Sequence, residues 1–320
     1  DYAPEQTVKG AVEAVNSSDE IRVILVGKQD MIAKELEKYE YAKEDIEVVH
    51  ASEIIDMGDV PTVAIKDKKD SSLVVAMRLV REGKADALVS AGSTGAVLVG
   101  GQLVVGRLKG IKRPPLAPFI PTTKGFSLLI DCGANVDARP EHLVQFAQMG
   151  SIYYENVMGK KNPTVALLNI GTEEEKGNQL VKDTKPLMKE CKNTNYIGSV
   201  EARELVSGAA DVIVCEAFVG NVVLKFFEGL ALTLFGSLKE GLMSSTRTKL
   251  GALLVKPALK GLKNQFDTSS QGGAPLLGLK GLVVKAHGNS SSKEIEIALK
   301  QCISFKKQKI NEKIKESICD

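Results

Sequence analysis

The sequence predicts an α/β fold: a three-layer α/β/α sandwich with a mostly parallel sheet. Three observations predict it. An apolar run, a loop of small polar residues and an amphipathic helix recur in that order along the chain. Runs such as IRVILVG (Ile21 to Gly27) are continuous rather than alternating, the pattern of parallel strands covered on both faces. The loops that follow carry Gly, Ser, Thr, Asn and Asp, as expected where carboxyl ends of parallel strands line a ligand crevice. The 320 residues read as a single α/β domain, with an inserted helical hairpin at 236–266.

Val8, Ala11, Val12 and Val15 form the apolar stripe of the first helix, with Asp1 placed to cap it and Pro4 suited to its first turn. There is no initiator Met, and a strand–helix repeat expects a strand before this helix. The reading therefore puts a first strand and its loop upstream of residue 1. Ile21 to Gly27 is the next strand. A polar helix, Lys28 to Tyr39, keeps Met31, Ile32 and Leu36 inside, and Ile46 to Ala51 is a further strand. Ser52 to Ser72 reads as a long irregular connection. Its charged run, Lys66 to Asp70, is more often a solvated face than a site, although it leads into a helix, Leu73 to Glu82, where it would line a polar cleft.

The central stretch is ADALVSAGSTGAVLVG. A short strand, Ala87 to Val89, runs into Ser90, Ala91, Gly92, Ser93, Thr94 and Gly95, and then into a helix carrying Val97, Leu98 and Leu103. Small, hydroxyl-bearing residues at a helix N-terminus suit an anion, with Ser93 and Thr94 as donors or caps. An ordinary strand-to-helix turn explains the loop equally well when it is taken alone. Four more strands end in the same way. Phe126 to Ile130 leads to Asp131, Gly133 and Asn135, before a helix from Pro140 to about Tyr154. TVALLN leads to Asn169, Gly171, Thr172 and Glu173, before a helix holding Leu180, Thr184 and Leu187. Val212 to Val214 leads to Glu216, Gly220 and Asn221, with Lys225 in the next helix. Leu282 to Val284 leads to His287, Gly288, Asn289 and Ser290. Five such ends favour one composite site. The helix from Lys293 closes the chain with a Lys-rich, solvated tail.

Between Gly236 and Phe266, Lys239, Arg247, Lys249, Lys256, Lys260 and Lys263 meet one acid, Glu240, and Leu238, Leu242, Leu250, Leu253, Leu254 and Leu262 recur at helical spacing. Pro257 is expected to break or bend the second helix. A basic amphipathic hairpin suits an anionic membrane surface; a helical pair buried against a partner subunit suits it equally.

Composition excludes several classes. A net charge of +2 gives no global case for nucleic acid. Five Cys (Cys132, Cys191, Cys215, Cys302, Cys319) and three His lack metal-ligand spacing, and the Cys pattern suggests a reducing compartment. No apolar run is read as reaching transmembrane length. GxGxxG, GxxxxGK and GxSxG signatures are missing. Cys132 or Cys215 could serve as a nucleophile with His287 as base, but small buried core Cys is the preferred reading.

Taken together, ADALVSAGSTGA, RPPLAPFIPT, LLIDCGANVDARPEHLVQFA, LLNIGTEEEKGN, VGNVVLKFFEG and GGAPLLGLKGLVVKAHGNS resemble the bacterial PlsX family, across essentially the whole chain. Ser93 stands where that family usually has Asn, and Glu216–Ala217 where it usually has Asp–Gly. The resemblance implies a fold similar to isopropylmalate-type dehydrogenases and phosphate acetyltransferases. It also implies a cytoplasmic homodimer associated peripherally with the inner face of the cell membrane, with no metal or nicotinamide cofactor. The implied reaction transfers a long-chain acyl group from acyl carrier protein to inorganic phosphate, giving acyl phosphate for a glycerol-3-phosphate acyltransferase. In that reaction Ser90, Gly92, Ser93, Thr94 and Gly95 would hold phosphate. Asn135, Thr172 or Asn221 would donate to the oxyanion, Lys225 would add positive charge, and His287 would serve the leaving thiolate. Asp131 and Glu216 would orient donors, and Gly171 and Asn289 would complete the substrate contacts. The competing readings are a phosphate acetyltransferase using acyl-coenzyme A and a non-catalytic, membrane-associated dimeric scaffold.

Overall fold

Each apolar run becomes a strand, and each strand end opens into a loop. The computed structural model describes residues 2–266 and 271–318; Asp1, Ser269 at the head of the last sheet segment, and Cys319 lie outside the described residues. Contacts divide the chain into two compact units rather than the one domain read from sequence. The first holds the described residues within Asp1–Pro118, Gln148–Asn162 and Ser269–Asp320; the second holds those within Phe119–Ala147 and Pro163–Thr268.

In chain order the first unit starts with α1 (Glu5–Asn16), β1 (Val23–Gly27), α2 (Gln29–Leu36), β2 (Ile46–His50), α3 (Pro61–Asp67), α4 (Ser72–Arg81), β3 (Ala87–Ser90) and α5 (Thr94–Gly100). The expected stripe of α1 is buried: Val8, Ala11, Val12 and Val15. The second unit contains β4 (Phe119–Thr122), β5 (Gly125–Ile130), β6 (Thr164–Asn169), α7 (Gln179–Glu190), β7 (Asn195–Glu201), β8 (Val212–Val214), α8 (Ala217–Met243) and α9 (Thr246–Gln265). Helix α6 (Pro140–Met158) carries a boundary between the units. The chain then supplies β9 (Ala274–Leu276), β10 (Leu282–Lys285), α10 (Ser292–Lys307) and α11 (Ile310–Ile318) to the first unit.

The fold is mixed α/β, with three sheets among the described residues where one mostly parallel sheet was expected. β1 and β2 pair in parallel. β10 pairs in parallel with β3 and antiparallel with β9. The second unit has the order β4-β5-β8-β6-β7, parallel except for the β4–β5 hairpin. The two antiparallel strands were not foreseen. Each is short and contains a proline, Pro121 or Pro275, and each lies at a sheet edge, where a missing N–H costs no ladder bond.

Between β1 and β3 lies a cavity of about 1300 Å³, lined by Val23–Gly27 and Ala87–Ser90 and walled by residues such as Val8, Ala11, Leu79 and Leu299. In the described ladders β1 and β3 are each paired along one edge only. This is why β1, read as covered on both faces, is half-buried beyond Val23.

Other expectations change for identifiable reasons. Met31 and Leu103 are exposed, because the apolar stripes of their helices are narrower than the spacing suggested. The connection after β2 contains α3, begun by Pro61 at its first position. Pro257 does not break α9, which runs through it. The first hairpin helix starts at Ala217, not Gly236. At 27 residues, α8 is long and apolar enough to cross a membrane, which corrects the reading that no run reaches that length; only 6 % of its most apolar stretch is buried. The Lys-rich tail is not a solvated extension, since α11 buries Ile310 and Ile314 completely. Ile314→Ala should therefore lower the unfolding free energy by about 2–5 kcal/mol in urea titrations, where a residue on a solvated tail would change it by under about 0.5 kcal/mol.

Candidate active site

In the first unit, the β3–β10 pair brings two of the predicted strand ends together. Lys285 lies opposite Ser90 in the register, and the Ala286 amide donates to the Ser90 carbonyl at 2.9 Å. The Ser90–Gly95 loop and the His287–Asn289 turn thus leave neighbouring strands at the same end. Ser90 Oγ accepts from the Gly92 amide at 3.2 Å, closing a local turn. Ser93 sits at the N-cap of α5 and is buried, but its side chain makes no capping bond, contrary to the expected cap. The hydroxyl is therefore not engaged by the helix. Thr94 and Gly92 are exposed. Gly95 lies against α3: a Cβ there would come within 2.7 Å of Pro61 Cγ. His287 is exposed; its Nδ1 accepts from the Asn289 amide at 3.4 Å, and its carbonyl from the Ser290 amide at 3.1 Å.

The charged run before α4 is structural. Lys68 binds Asp59 at 2.5 Å and the Ile54 carbonyl at 2.9 Å. The Asp70 carboxylate accepts from Ser52 Oγ at 2.5 Å and from the Ser52 amide at 2.9 Å. These bonds tie the run to the preceding loop, and they hold the Asp59 and Asp70 carboxyls below the usual carboxylate range.

In the second unit, β5, β8 and β6 are adjacent and parallel, so their polar ends share one edge. Asp131 is fully buried. Its carboxylate accepts from the Ala134 amide at 3.1 Å, the Asn135 amide at 2.8 Å and Asn135 Nδ2 at 2.7 Å. The Asn135 carbonyl accepts from the Ala217 amide at 3.2 Å, linking this turn to the start of α8. Glu216 is the N-cap of α8, its carboxylate accepting from the Phe218 amide at 2.5 Å and the Val219 amide at 2.9 Å. Asn221 and Lys225 are exposed on α8, and the Lys225 ammonium pairs with Glu228 at 2.7 Å.

Gly171 is buried and Thr172 exposed in the loop after β6. A lysine that sequence reasoning missed holds that loop. Lys185 on α7 is buried, and its ammonium donates to the carbonyls of Glu173 (3.0 Å), Glu174 (2.7 Å) and Lys176 (3.0 Å). Asn169 Nδ2 adds bonds to the carbonyls of Gly171 (2.9 Å) and Lys176 (3.0 Å). Three donors aimed at three carbonyls make Lys185 an internal clamp for the backbone. The only sequence signal was a lysine on the same helical stripe as Met188.

Cys132 and Cys215 are buried at the ends of β5 and β8, and desolvation pushes both thiols well above their ordinary range. Neither is a thiolate near neutral pH, which argues against a cysteine nucleophile.

The chain matches the family described as "Fatty acid synthesis protein" over residues 1–313. It is 54 % identical to a phosphate acyltransferase of Alkaliphilus oremlandii over 318 residues, covering 99 % of this chain and 94 % of that protein. It is 50 % identical to a phosphate acyltransferase of Clostridium acetobutylicum over 314 residues, 98 % of this chain and 95 % of that protein. Among solved structures, a phosphotransacetylase from Streptococcus pyogenes aligns with a TM-score of 0.66 at 17 % identity, covering 95 % of this chain and 92 % of that one. A 4-hydroxythreonine-4-phosphate dehydrogenase from Klebsiella pneumoniae aligns at a TM-score of 0.51 and 14 % identity, covering 94 % of each chain. The two structures share the fold. The chain belongs to the PlsX family of phosphate acyltransferases, and it is an enzyme of the transacylase class.

Gly220 allows α8 to start where it does. A Cβ there would lie 1.9 Å from the Asp131 carbonyl oxygen and 3.0 Å from Cys215 Sγ. Gly220→Ala should destabilise the protein by about 1–3 kcal/mol and displace the Asp131–Asn135 turn, lowering the melting temperature and shifting amide signals of residues 131–135 in NMR spectra.

Proposed function

We propose that this enzyme transfers a long-chain fatty acyl group from acyl-[acyl-carrier-protein] to inorganic phosphate. The single observation that carries the proposal is family membership at about half identity across nearly the full chain. The loop after β3 agrees with it, since it offers amides and a Ser93 hydroxyl not engaged by α5. A phosphate oxygen attacks the thioester carbonyl carbon. The C–O bond forms as the carbonyl electron pair moves onto oxygen; collapse of that adduct breaks the C–S bond, and the thiolate leaves and takes a proton. Phosphate is nucleophilic enough once positioned, so no acyl-enzyme is required.

Ser90, Gly92, Ser93, Thr94 and Gly95 are assigned to phosphate, with Asn289 as a further contact and His287 as proton donor or orienter for the leaving sulfur. On the second unit, Asn135, Thr172 and Asn221 are assigned to polarising the acyl carbonyl, Gly171 to a substrate contact and Lys225 to added positive charge. Asp131 is assigned to orienting Asn135, and Glu216 to holding the start of α8. The product, an acyl phosphate, suits a glycerol-3-phosphate acyltransferase as the next enzyme. The finer fold assignment, a three-layer sandwich of the isopropylmalate-dehydrogenase type, belongs to the same proposal.

A second proposal concerns the α8–α9 hairpin. Leu253 and Leu254, on α9, are 67 % and 84 % exposed, and the same helix carries Lys249, Lys256, Lys260 and Lys263. An apolar face rimmed by lysines suits peripheral attachment to the anionic inner face of the cell membrane, and the long apolar side of α8 suits a second copy in a homodimer.

The chemistry is checked by comparing acyl-carrier-protein and coenzyme A thioesters with and without phosphate, trapping acyl phosphate as hydroxamate. Phosphate-dependent hydroxamate should form with the carrier-protein thioester; formation from the coenzyme A thioester alone would place the enzyme with phosphate acetyltransferases, and none from either would leave a scaffold. Replacing both Leu253 and Leu254 with Glu should weaken binding to phosphatidylglycerol vesicles about tenfold or more, with turnover of soluble thioester retained. Dissociation of a dimer in analytical ultracentrifugation would instead assign this face to subunit contact.

A further inference from the structure

We propose that the segment from Ile54 to Val63 is the surface that takes the acyl chain of the thioester substrate. The inference deepens the proposed function and rests on that reading of the reaction. Met57 is 73 % exposed, and Ile54, Val60 and Val63 each expose more than half of their surface. Single exposed apolar residues are ordinary, but a cluster of this size within one short segment marks a binding surface. The backbone that carries them is held in place. The Asp56 amide donates to the Asp59 carboxylate at 2.8 Å, and the Asp59 amide to the Asp56 carbonyl at 3.2 Å, closing a turn with Met57 and Gly58 at its tip. Lys68 ties that turn down through Asp59 and the Ile54 carbonyl. The Glu53 amide donates to the Asp70 carbonyl at 3.2 Å, and the Glu53 carboxylate accepts from the Asp70 amide at 2.9 Å. Polar bonds fix the main chain, and the apolar side chains are left facing outward.

This surface lies beside the loop assigned to phosphate. Val60 is the N-cap of α3 and Val63 lies on it, and α3 packs against α5, the helix that the phosphate loop opens. The packing is close: a Cβ on Gly95 would come within 2.7 Å of Pro61 Cγ. Ile54 and Met57 also line the same cavity as Ser90, Gly92 and Ser93, and Met31 on α2 joins them there. All of these residues belong to the first unit. The reaction itself selects the occupant. Phosphate attacks the acyl carbon, so the acyl chain must start within bonding reach of the phosphate and leave across whatever adjoins that loop. Apolar side chains adjoining it move methylenes out of water, and the unbranched thioether of Met57 adapts to a flexible chain. The exposed Leu253 and Leu254 differ in setting, since they lie on α9 of the second unit among lysines.

The test uses the full chain with palmitoyl- and butyryl-carrier-protein thioesters, saturating phosphate, and acyl phosphate trapped by hydroxylamine. The double variant Ile54→Thr, Met57→Gln keeps side-chain size and removes apolar surface at two exposed positions. The ratio of kcat/KM for the palmitoyl thioester to that for the butyryl thioester should fall about fivefold or more, because only the long chain extends over these residues. A ratio within about twofold of the parent overturns the inference; if both values fall together, the surface serves the carrier protein instead. If the parent is a dimer and the variant a monomer in analytical ultracentrifugation, the surface is a contact between copies and the inference fails. Failure of the reaction reading shows separately, as a parent that forms no phosphate-dependent hydroxamate from either thioester. Binding then decides the inference alone. With methyl-labelled methionine in the parent, the Met57 signal is assigned by its loss in Met57→Gln. It should shift when the unreactive hexadecyl thioether of carrier protein is added and stay in place with the butyl thioether. No shift, or equal shifts with both, overturns the inference.

Discussion

Parallel pairing is the constraint on which the rest of this structure depends. A parallel ladder sends successive strands out at one edge, so whatever follows them gathers there. In the first unit it sets Ser90 beside Lys285. In the second it aligns Ile130, Val214 and Leu167, so that Asp131, Cys215 and Leu168 follow side by side. The apolar strand interiors, with Leu128–Ile130, Val165–Leu167 and Val212–Val214 fully buried, exclude water from the ladders and leave the polar chemistry to their ends.

Loops at such an edge need fixing, and the protein does this with buried charge. Asp131 folds the turn after β5 by accepting three N–H donors, two of them backbone amides. Lys185 folds the loop after β6 by the opposite means, donating to three carbonyls. Both place an ionised group where desolvation is costly, and in both the cost is offset by charge-assisted bonds to backbone dipoles. Thr172 and Asn221, by contrast, are exposed.

Much of this was legible in the sequence. The alternation of apolar run, small-residue loop and helix marked β1, β2, β3, β5, β6, β8 and β10 within a residue or two, because apolar residues dominate those strands. The polar strand ends were legible for the same reason. Three kinds of feature were not. β4 and β9 carry prolines that argue against a central strand, and each is found at a sheet edge. Helix α8 was cut at Gly236 because glycine and a rise in lysine mimic a boundary; the backbone continues helically from Ala217 to Met243. Lys185 drew no reading, since nothing local to a lysine says that its ammonium will be folded inward onto carbonyls. The division into two units was also hidden, because the chain leaves the first core at Pro118 and returns to it later.

The cavity beside β3 bears on how firmly Ser90 is held. β3 is four residues long and, in the described ladders, is hydrogen-bonded along one side only, to β10. The stiffness of the loop that begins at Ser90 is thus inherited from a single four-residue seam, the same seam that carries Lys285.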